Sequence, residues 1–241
     1  MSAPEWQLIT TRIASAAGHA GLDLVQPFNV AHYNAGVPEG ERLDDLGGSA
    51  FSGALGILLG NTRRLWPAFT DAYARDAALV TSAQPLDTYI VTRVTALLAD
   101  ATAARTQLVF AHVTTPQAFP IQRLAERVGL AAVSPSHLVI HPVHGPWLAL
   151  RAVAVIAVAG PEAAPKAVPR PCLGCQAPCV SALQRALAVS GEPLSSASVA
   201  QNAAAWIAVR DACPVGRGSR YGDAQLAYHY APDRSRLVAE S

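Results

Sequence analysis

Four cysteines carry the clearest chemical signal in the sequence. Cys172, Cys175 and Cys179 fall within eight residues, and Cys213 follows, directly before Pro214. A C-x2-C-x3-C run brings three thiolates to one centre, and a distant Cys-Pro can close the fourth position. The proline keeps the chain from shielding a cluster bound there. Four soft thiolates suit an iron–sulfur cluster, expected as a single 4Fe-4S, and they also suit tetrahedral zinc. Their clustering argues against four unrelated buried thiols.

Arg151 stands out for a different reason. It interrupts the most apolar stretch of the chain, Trp147 to Gly160, so a charge placed there must find a partner. His141 and His144 flank a Pro/Gly turn just before it, where a ring nitrogen could touch a ligand or hold the loop by hydrogen bonds. Tyr33 and Trp147 are flat enough to wall a macrocycle, or they are ordinary core. Asp44-Asp45 reads as a solvated loop.

The bulk of the chain bounds what these residues can serve. At 241 residues, 51% apolar and 15% charged, it buries a sizeable core and suits one domain or one domain with a small appendage. A net charge of +1 does not fit a general nucleic-acid binder. Lys166 is the one lysine, so nearly every positive charge is a guanidinium, suited to forked contacts with oxyanions. No basic-then-apolar leader opens the sequence, and the stretch 147–160 is too short to span a bilayer as a helix. A cytoplasmic protein off the membrane is expected, where reduced cysteines serve metal or redox chemistry better than disulfides.

These residues need a scaffold, and hydrophobic spacing sketches one. Ser2-Ala3-Pro4 opens a helix with Trp6, Ile9, Ile13 and Ala16 on one face. A strand over 22–28 and a Gly/Pro-rich loop from Asn34 to Gly48 follow. Ala54–Leu59 reads as a buried strand, after which Asn61 or Thr62 caps a helix presenting Trp66, Phe69 and Tyr73. Pro85 starts another helix with Leu86, Ile90, Val94 and Leu97 inward. Strands are expected over 107–111, at 133 and 138–140, and over 148–158, with a helix through Leu124 and Val128 that Gly129 stops. Such alternation predicts an α/β or α+β sandwich. Four prolines in the twelve residues 160–171 mark an extended connection. They divide a core over residues 1–160 from a cysteine-bearing lobe over 161–241 with one or two short helices.

Three stretches resemble the cblC-type family of B12-processing proteins. Pro27-Phe-Asn-Val-Ala-His-Tyr-Asn34 is similar to that family's Pro-Phe-x-Val-x-x-Tyr-Asn segment, and Ile140-His-Pro-Val-His-Gly-Pro-Trp-Leu-Ala-Leu-Arg151 to its Ile-His-Pro-x-x-Gly-x-Trp-x-x-x-Arg turn and strand. Arg210-Asp-Ala, Arg220-Tyr221, Gln225, Ala227-Tyr228 and Arg236-Leu237 repeat its C-terminal pattern. The resemblance implies an α+β, flavin-reductase or nitroreductase-like sandwich that binds base-off cobalamin. It also implies reductive removal of the upper axial ligand (decyanation or dealkylation) with reduced flavin (FMN or FAD), glutathione or a partner reductase. On this resemblance Arg151, Arg210 and Arg236 hold glutathione-like carboxylates, and His141, Pro142, Gly145 and Trp147 border the cobalamin.

The middle of the chain also resembles epoxyqueuosine reductase and the corrinoid reductive dehalogenases. Leu124-Ala-Glu-Arg-Val-Gly-Leu130, the Pro-x-x-Gly-x-Trp turn at 142–147, and cysteines followed by Ser-Ala-Leu183 occur in their order. Those families pair cobalamin with two clusters on eight cysteines, whereas four cysteines here allow one. Thr115 stands near the position of the reductase's catalytic aspartate, so the resemblance does not carry queuosine chemistry. The expected protein is a corrinoid-binding redox enzyme or chaperone with one cluster. The alternative is an iron–sulfur or zinc protein of the same fold acting on another carboxylate without a corrin.

Overall fold

The computed structural model describes residues 3–46, 52–115, 117–230 and 237. In chain order it runs α1 (Glu5–His19), β1 (Leu24–Asn29), α2 (Val30–Ala35), β2 (Ala54–Asn61), α3 (Leu65–Arg75), α4 (Ala77–Thr81), α5 (Pro85–Ala101) and β3 (Thr106–Phe110). Then come α6 (Ile121–Arg127), β4 (Ala132–Val133), β5 (Val139–Ile140), β6 (Ala149–Ala159), α7 (Pro178–Ser190), α8 (Ser196–Gln201), α9 (Ala203–Asp211) and α10 (Asp223–Tyr230).

The main sheet has the order β1-β2-β6-β3, every pair antiparallel, and β4 pairs with β5 beside it. β2 is buried at all eight positions, as expected of a central strand covered on both faces. On one side Leu55, Ile57 and Leu59 meet Ile9 and Ile13 of α1, Phe69 of α3 and Ile90 of α5. On the other, Leu58 and Val153 meet Tyr33, Leu124 and Val128. Within the sheet, Phe28 lies opposite Gly56, and its ring fills the space where a Cβ at 56 would stand. The result is an antiparallel α+β sandwich.

The helix expectations hold for α3 and α5, whose inward residues are those read from the sequence. Four readings need correction. The buried stripe of α1 runs Ile9–Ile13–Ala17, a four-residue spacing that leaves Ala16 exposed. Neither Asn61 nor Thr62 caps α3; Arg64 occupies that position, and buried Thr62 is held by Asp23 through its N–H at 2.7 Å and its hydroxyl at 2.6 Å. Asp44-Asp45 lies in a loop with Asp44 exposed, as expected, but Asp45 braces that loop by accepting from the Ala54 N–H at 2.6 Å. Among the described residues the tail carries four α-helices instead of one or two, since runs of alanine and leucine there propagate helix through weak punctuation.

Candidate functional site

Two small-residue helices bring the cysteines together. Ala182 and Ala186 of α7 pack against Val209 of α9, close enough to bury all three, and the Trp206 indole donates to Ser190 Oγ at 2.9 Å. Cys179 lies in the first turn of α7, which Pro178 opens, and Cys213 lies just beyond α9, its N–H bonded to the Arg210 carbonyl at 3.1 Å. Cys172 and Cys175 sit on the preceding turn, closed by a bond from the Cys175 N–H to the Cys172 carbonyl at 3.2 Å. The Ala177 N–H points at Cys175 Sγ, 3.4 Å away.

All four cysteines line one cavity, with Pro171, Pro178, Pro214, Ile140 and Val215 among its other walls. The space between atoms there is about 360 Å³, part of it open to solvent. Burial raises the Cys172 and Cys213 thiols above their ordinary range, and the neighbouring cysteines push in the same direction. Among the described residues no three His, Cys, Asp or Glu side chains converge on a point that would hold a single ion.

The turn after β5 is clasped to this centre. His141 and Gly145 exchange backbone bonds at 2.9 and 2.8 Å. His141 Nδ1 accepts from the N–H groups of Val143 and His144 at 3.1 and 3.2 Å, which fixes the ring at the mouth of the turn. Burial and the stacked His144 ring, 4.8 Å away, lower the His141 pKa to about 4. His144 Nδ1 lies 2.8 Å from Ser219 Oγ. Gly145, at φ +58, faces the Val215 carbonyl so closely that a Cβ would overlap it, and Gly216 faces the His144 carbonyl in the same way. Thus the loop carrying Cys213 and the 141–147 turn interlock at backbone level. Of the residues expected to border cobalamin, His141 and Pro142 reach the surface beside exposed Val143, whereas Gly145 and Trp147 are sealed inside.

Trp147 leads to the arginines. Its ring is covered by Tyr221, with centroids 5.5 Å apart, and by the Arg210 and Arg220 guanidiniums at 5.8 and 5.6 Å. Arg220 is an ordinary surface partner, forked onto Asp211 at 2.8 and 3.2 Å. Arg210 and Arg151 differ. Arg210 donates to the Pro146 carbonyl at 2.6 Å, and Arg151 Nε donates to Asn61 Oδ1 at 2.7 Å. Among the described residues neither has a carboxylate within ion-pair distance. Arg236 lies outside the described residues.

Sequence reasoning matched Tyr221 and Gln225 to the C-terminal pattern without giving them a role, and it did not single out His229. Gln225 and His229 lie four residues apart and share one face of α10, and Tyr221 stands two residues before that helix begins. Tyr221 and Gln225 are buried, Gln225 Nε2 and Arg151 Nη2 have no hydrogen-bond partner among the described residues, and the Arg210 guanidinium lies beside the Tyr221 hydroxyl. Burial, with the charges of Arg151 and Arg210, lowers the His229 pKa to about 3. The four-residue polar spacing was the available signal.

No protein-family model and no curated protein matches the chain in sequence. Solved structures do match in shape. The C. elegans B12-trafficking protein CblC, a human MMACHC homologue, superposes with a TM-score of 0.70 at 16% identity, over 97% of this chain and 95% of that one. A selenomethionine-labelled epoxyqueuosine reductase gives 0.50 at 13% identity, over 95% of this chain and 70% of that one. The Bacillus subtilis epoxyqueuosine reductase gives 0.49 at 13% identity over the same shares. The fold is therefore that of CblC over nearly its full length, and the epoxyqueuosine reductase at 0.50 shares it more distantly.

Proposed function

We propose that this chain is a corrinoid-handling redox protein of nitroreductase-like fold that carries one iron–sulfur cluster on Cys172, Cys175, Cys179 and Cys213. The observation that carries the reading is the shared wall: in a fold matching a B12-trafficking protein end to end, four cysteines surround one cavity that interlocks with the 141–147 turn. Four thiolates suit a cluster, and they suit tetrahedral zinc as well. The lining is mostly apolar and proline-rich, with Ser134 as its one side-chain oxygen among the described residues. When bound, the cluster would supply single electrons.

The rest of the work falls to the chain's own residues. His141, Pro142 and Val143 form the exposed tip that meets the corrin, and His141 is held neutral near pH 7 with Nδ1 occupied by the turn. Gly145 and Trp147 support the tip from within and do not border the substrate. Arg151 and Arg210 hold an oxyanion, glutathione-like if the reductant is a thiol. Reductive loss of cobalt's upper ligand is then the expected reaction.

The sealing of Trp147 favours a second reading, in which the same cluster and arginines serve another carboxylate and no corrin binds. One experiment separates the two. Anaerobic reconstitution, with iron, sulfide and zinc analysis, is followed by titration of cyanocobalamin into the protein. About four irons per chain and a base-off spectrum are expected, and Cys213→Ser should lower iron as much as Cys175→Ser. Stoichiometric zinc without iron overturns the cluster; an unchanged corrin spectrum at micromolar protein overturns the corrinoid reading alone. Reduced flavin, glutathione and a reductase are compared as electron donors in the same assay.

A further inference from the structure

Charge along this chain is segregated. Residues 1–126 hold eleven Asp and Glu against eight Lys and Arg, whereas residues 127–222 hold three against eight. No acidic residue occurs over 163–191, the stretch with Lys166, Arg170 and the first three cysteines, nor over 212–222, which carries Cys213 and Arg217. Lys166, Arg170 and Arg217 are exposed, and among the described residues none has a carboxylate within ion-pair distance. Two of these cations stand at the cysteine cavity. Arg170 precedes the wall residue Pro171, and its carbonyl accepts from the Leu173 N–H at 3.0 Å. Arg217 lies close enough to Cys213 to draw its thiol pKa down against the effect of burial.

The four cysteines are not equally sheltered. Cys179 and Cys213 are buried, whereas Cys172 and Cys175 are partly exposed. The turn between the latter two carries Leu173, 78% exposed, and Gly174, around which nothing lies within 4 Å of the Cβ position. An isolated surface leucine is ordinary. This one stands on the rim of the cavity, where Pro135, Pro178 and Pro214 are exposed as well. Proline has no N–H to leave unpaired, so such a rim sheds its water at little cost. An apolar centre flanked by charge of one sign suits a short-lived protein encounter. The centre gives contact, while the charges steer the approach and weaken as salt rises.

We propose that the Cys172–Cys175 turn, with Leu173 at its tip and Arg170 and Arg217 beside it, is the docking surface for a small acidic protein that carries single electrons. The proposal rests on the cluster part of the reading above and adds the partner and its point of entry. One electron leaves the carrier's reduced centre and enters the metal site on the side of Cys172 and Cys175. The carrier is oxidised by one electron, the site is reduced by one, and no bond forms or breaks.

The test uses the full chain, reconstituted anaerobically, with a plant-type ferredoxin as the acidic probe and cytochrome c as a basic carrier of similar size. By calorimetry ferredoxin should bind at low salt and weaken at least about fivefold when ionic strength rises about tenfold, whereas cytochrome c should not bind. Arg170→Glu, Arg217→Glu and Leu173→Ser should each weaken ferredoxin about fivefold or more. Arg105→Glu, the same charge reversal at the exposed start of β3, should change it less than about twofold. All four side chains are exposed, so iron content and melting temperature should stay those of wild type. Stopped-flow mixing with reduced ferredoxin should show slower oxidation of the carrier by the first three variants. Cytochrome c binding as tightly as ferredoxin, ferredoxin affinity indifferent to both charge reversals at the rim, or no ferredoxin binding at micromolar protein overturns the proposal. Metal analysis of the same samples separates the two readings. Iron-loaded protein that fails to bind ferredoxin loses the docking surface and keeps the cluster, and zinc without iron removes the cluster whatever the carrier does.

Discussion

Gly145→Ala tests the interlock between the turn and the Cys213 loop. Gly145 sits at φ +58, where an L-residue pays about 1–2 kcal/mol, and its new Cβ would overlap the Val215 carbonyl with the Gly216 Cα 3.3 Å away. Both obstacles are backbone, so no side chain can swing aside, and forcing them apart adds about 1–3 kcal/mol. The total is roughly 2–5 kcal/mol, which for a chain of this size lowers Tm by roughly 5–15 °C. Gly174 provides the control. It has φ +76 in the same cysteine region, but a Cβ there meets nothing within 4 Å, so Gly174→Ala bears the backbone term alone. Partial offset by a stiffer unfolded chain brings that variant to about 1 kcal/mol or less. Thermal and urea melts of the two variants give the contact term by difference, and iron content after reconstitution reports whether Cys213 has moved. If Gly145→Ala melts within a degree of Gly174→Ala and keeps its iron, the clasp is not what positions Cys213.

Acid should weaken the fold earlier than carboxylate titration explains. His229 and His141 have folded pKa values of about 3 and about 4, lowered by burial, against 6.5 unfolded, so the unfolded chain takes up protons first as pH falls. Their stabilising effect is complete above pH 7 and shrinks from pH 6.5 downward, by about 2 kcal/mol for His229 between pH 7 and pH 5 and by less for half-buried His141, whose charge solvent screens. Urea midpoints across that range should show it, and His229→Leu should flatten the slope by its share. Asn29, 2% exposed, donates to the Ser52 and Pro161 carbonyls at 3.1 and 3.2 Å and accepts from the His32 N–H at 3.2 Å. Asn29→Ala should cost about 2–4 kcal/mol in urea unfolding, from lost bonds and stranded carbonyls. Tyr89→Phe strands the buried Ala20 carbonyl, now bonded at 3.1 Å, and should cost about 1–2 kcal/mol by the same assay.

What the sequence determined by itself was local or periodic. Spacing of three and four placed α3 and α5, a continuous apolar run marked β2 as a covered strand, and the C-x2-C-x3-C pattern assembled three cysteines within reach of one centre. Each signal lies within about fifteen residues, where helix and strand geometry alone decides which side chains meet. The tertiary structure decided what joins distant segments. It brought Cys213 to the others through the close packing of α7 on α9, and it pressed the 141–147 turn against 215–216. It also buried Trp147, which the motif had suggested as a ligand wall, and turned a polar face of α10 onto Arg151. Periodicity tells which face of a helix is alike in character. Whether that face meets apolar core, solvent or a stranded guanidinium depends on the partner surface, and residues far away in the chain build that surface.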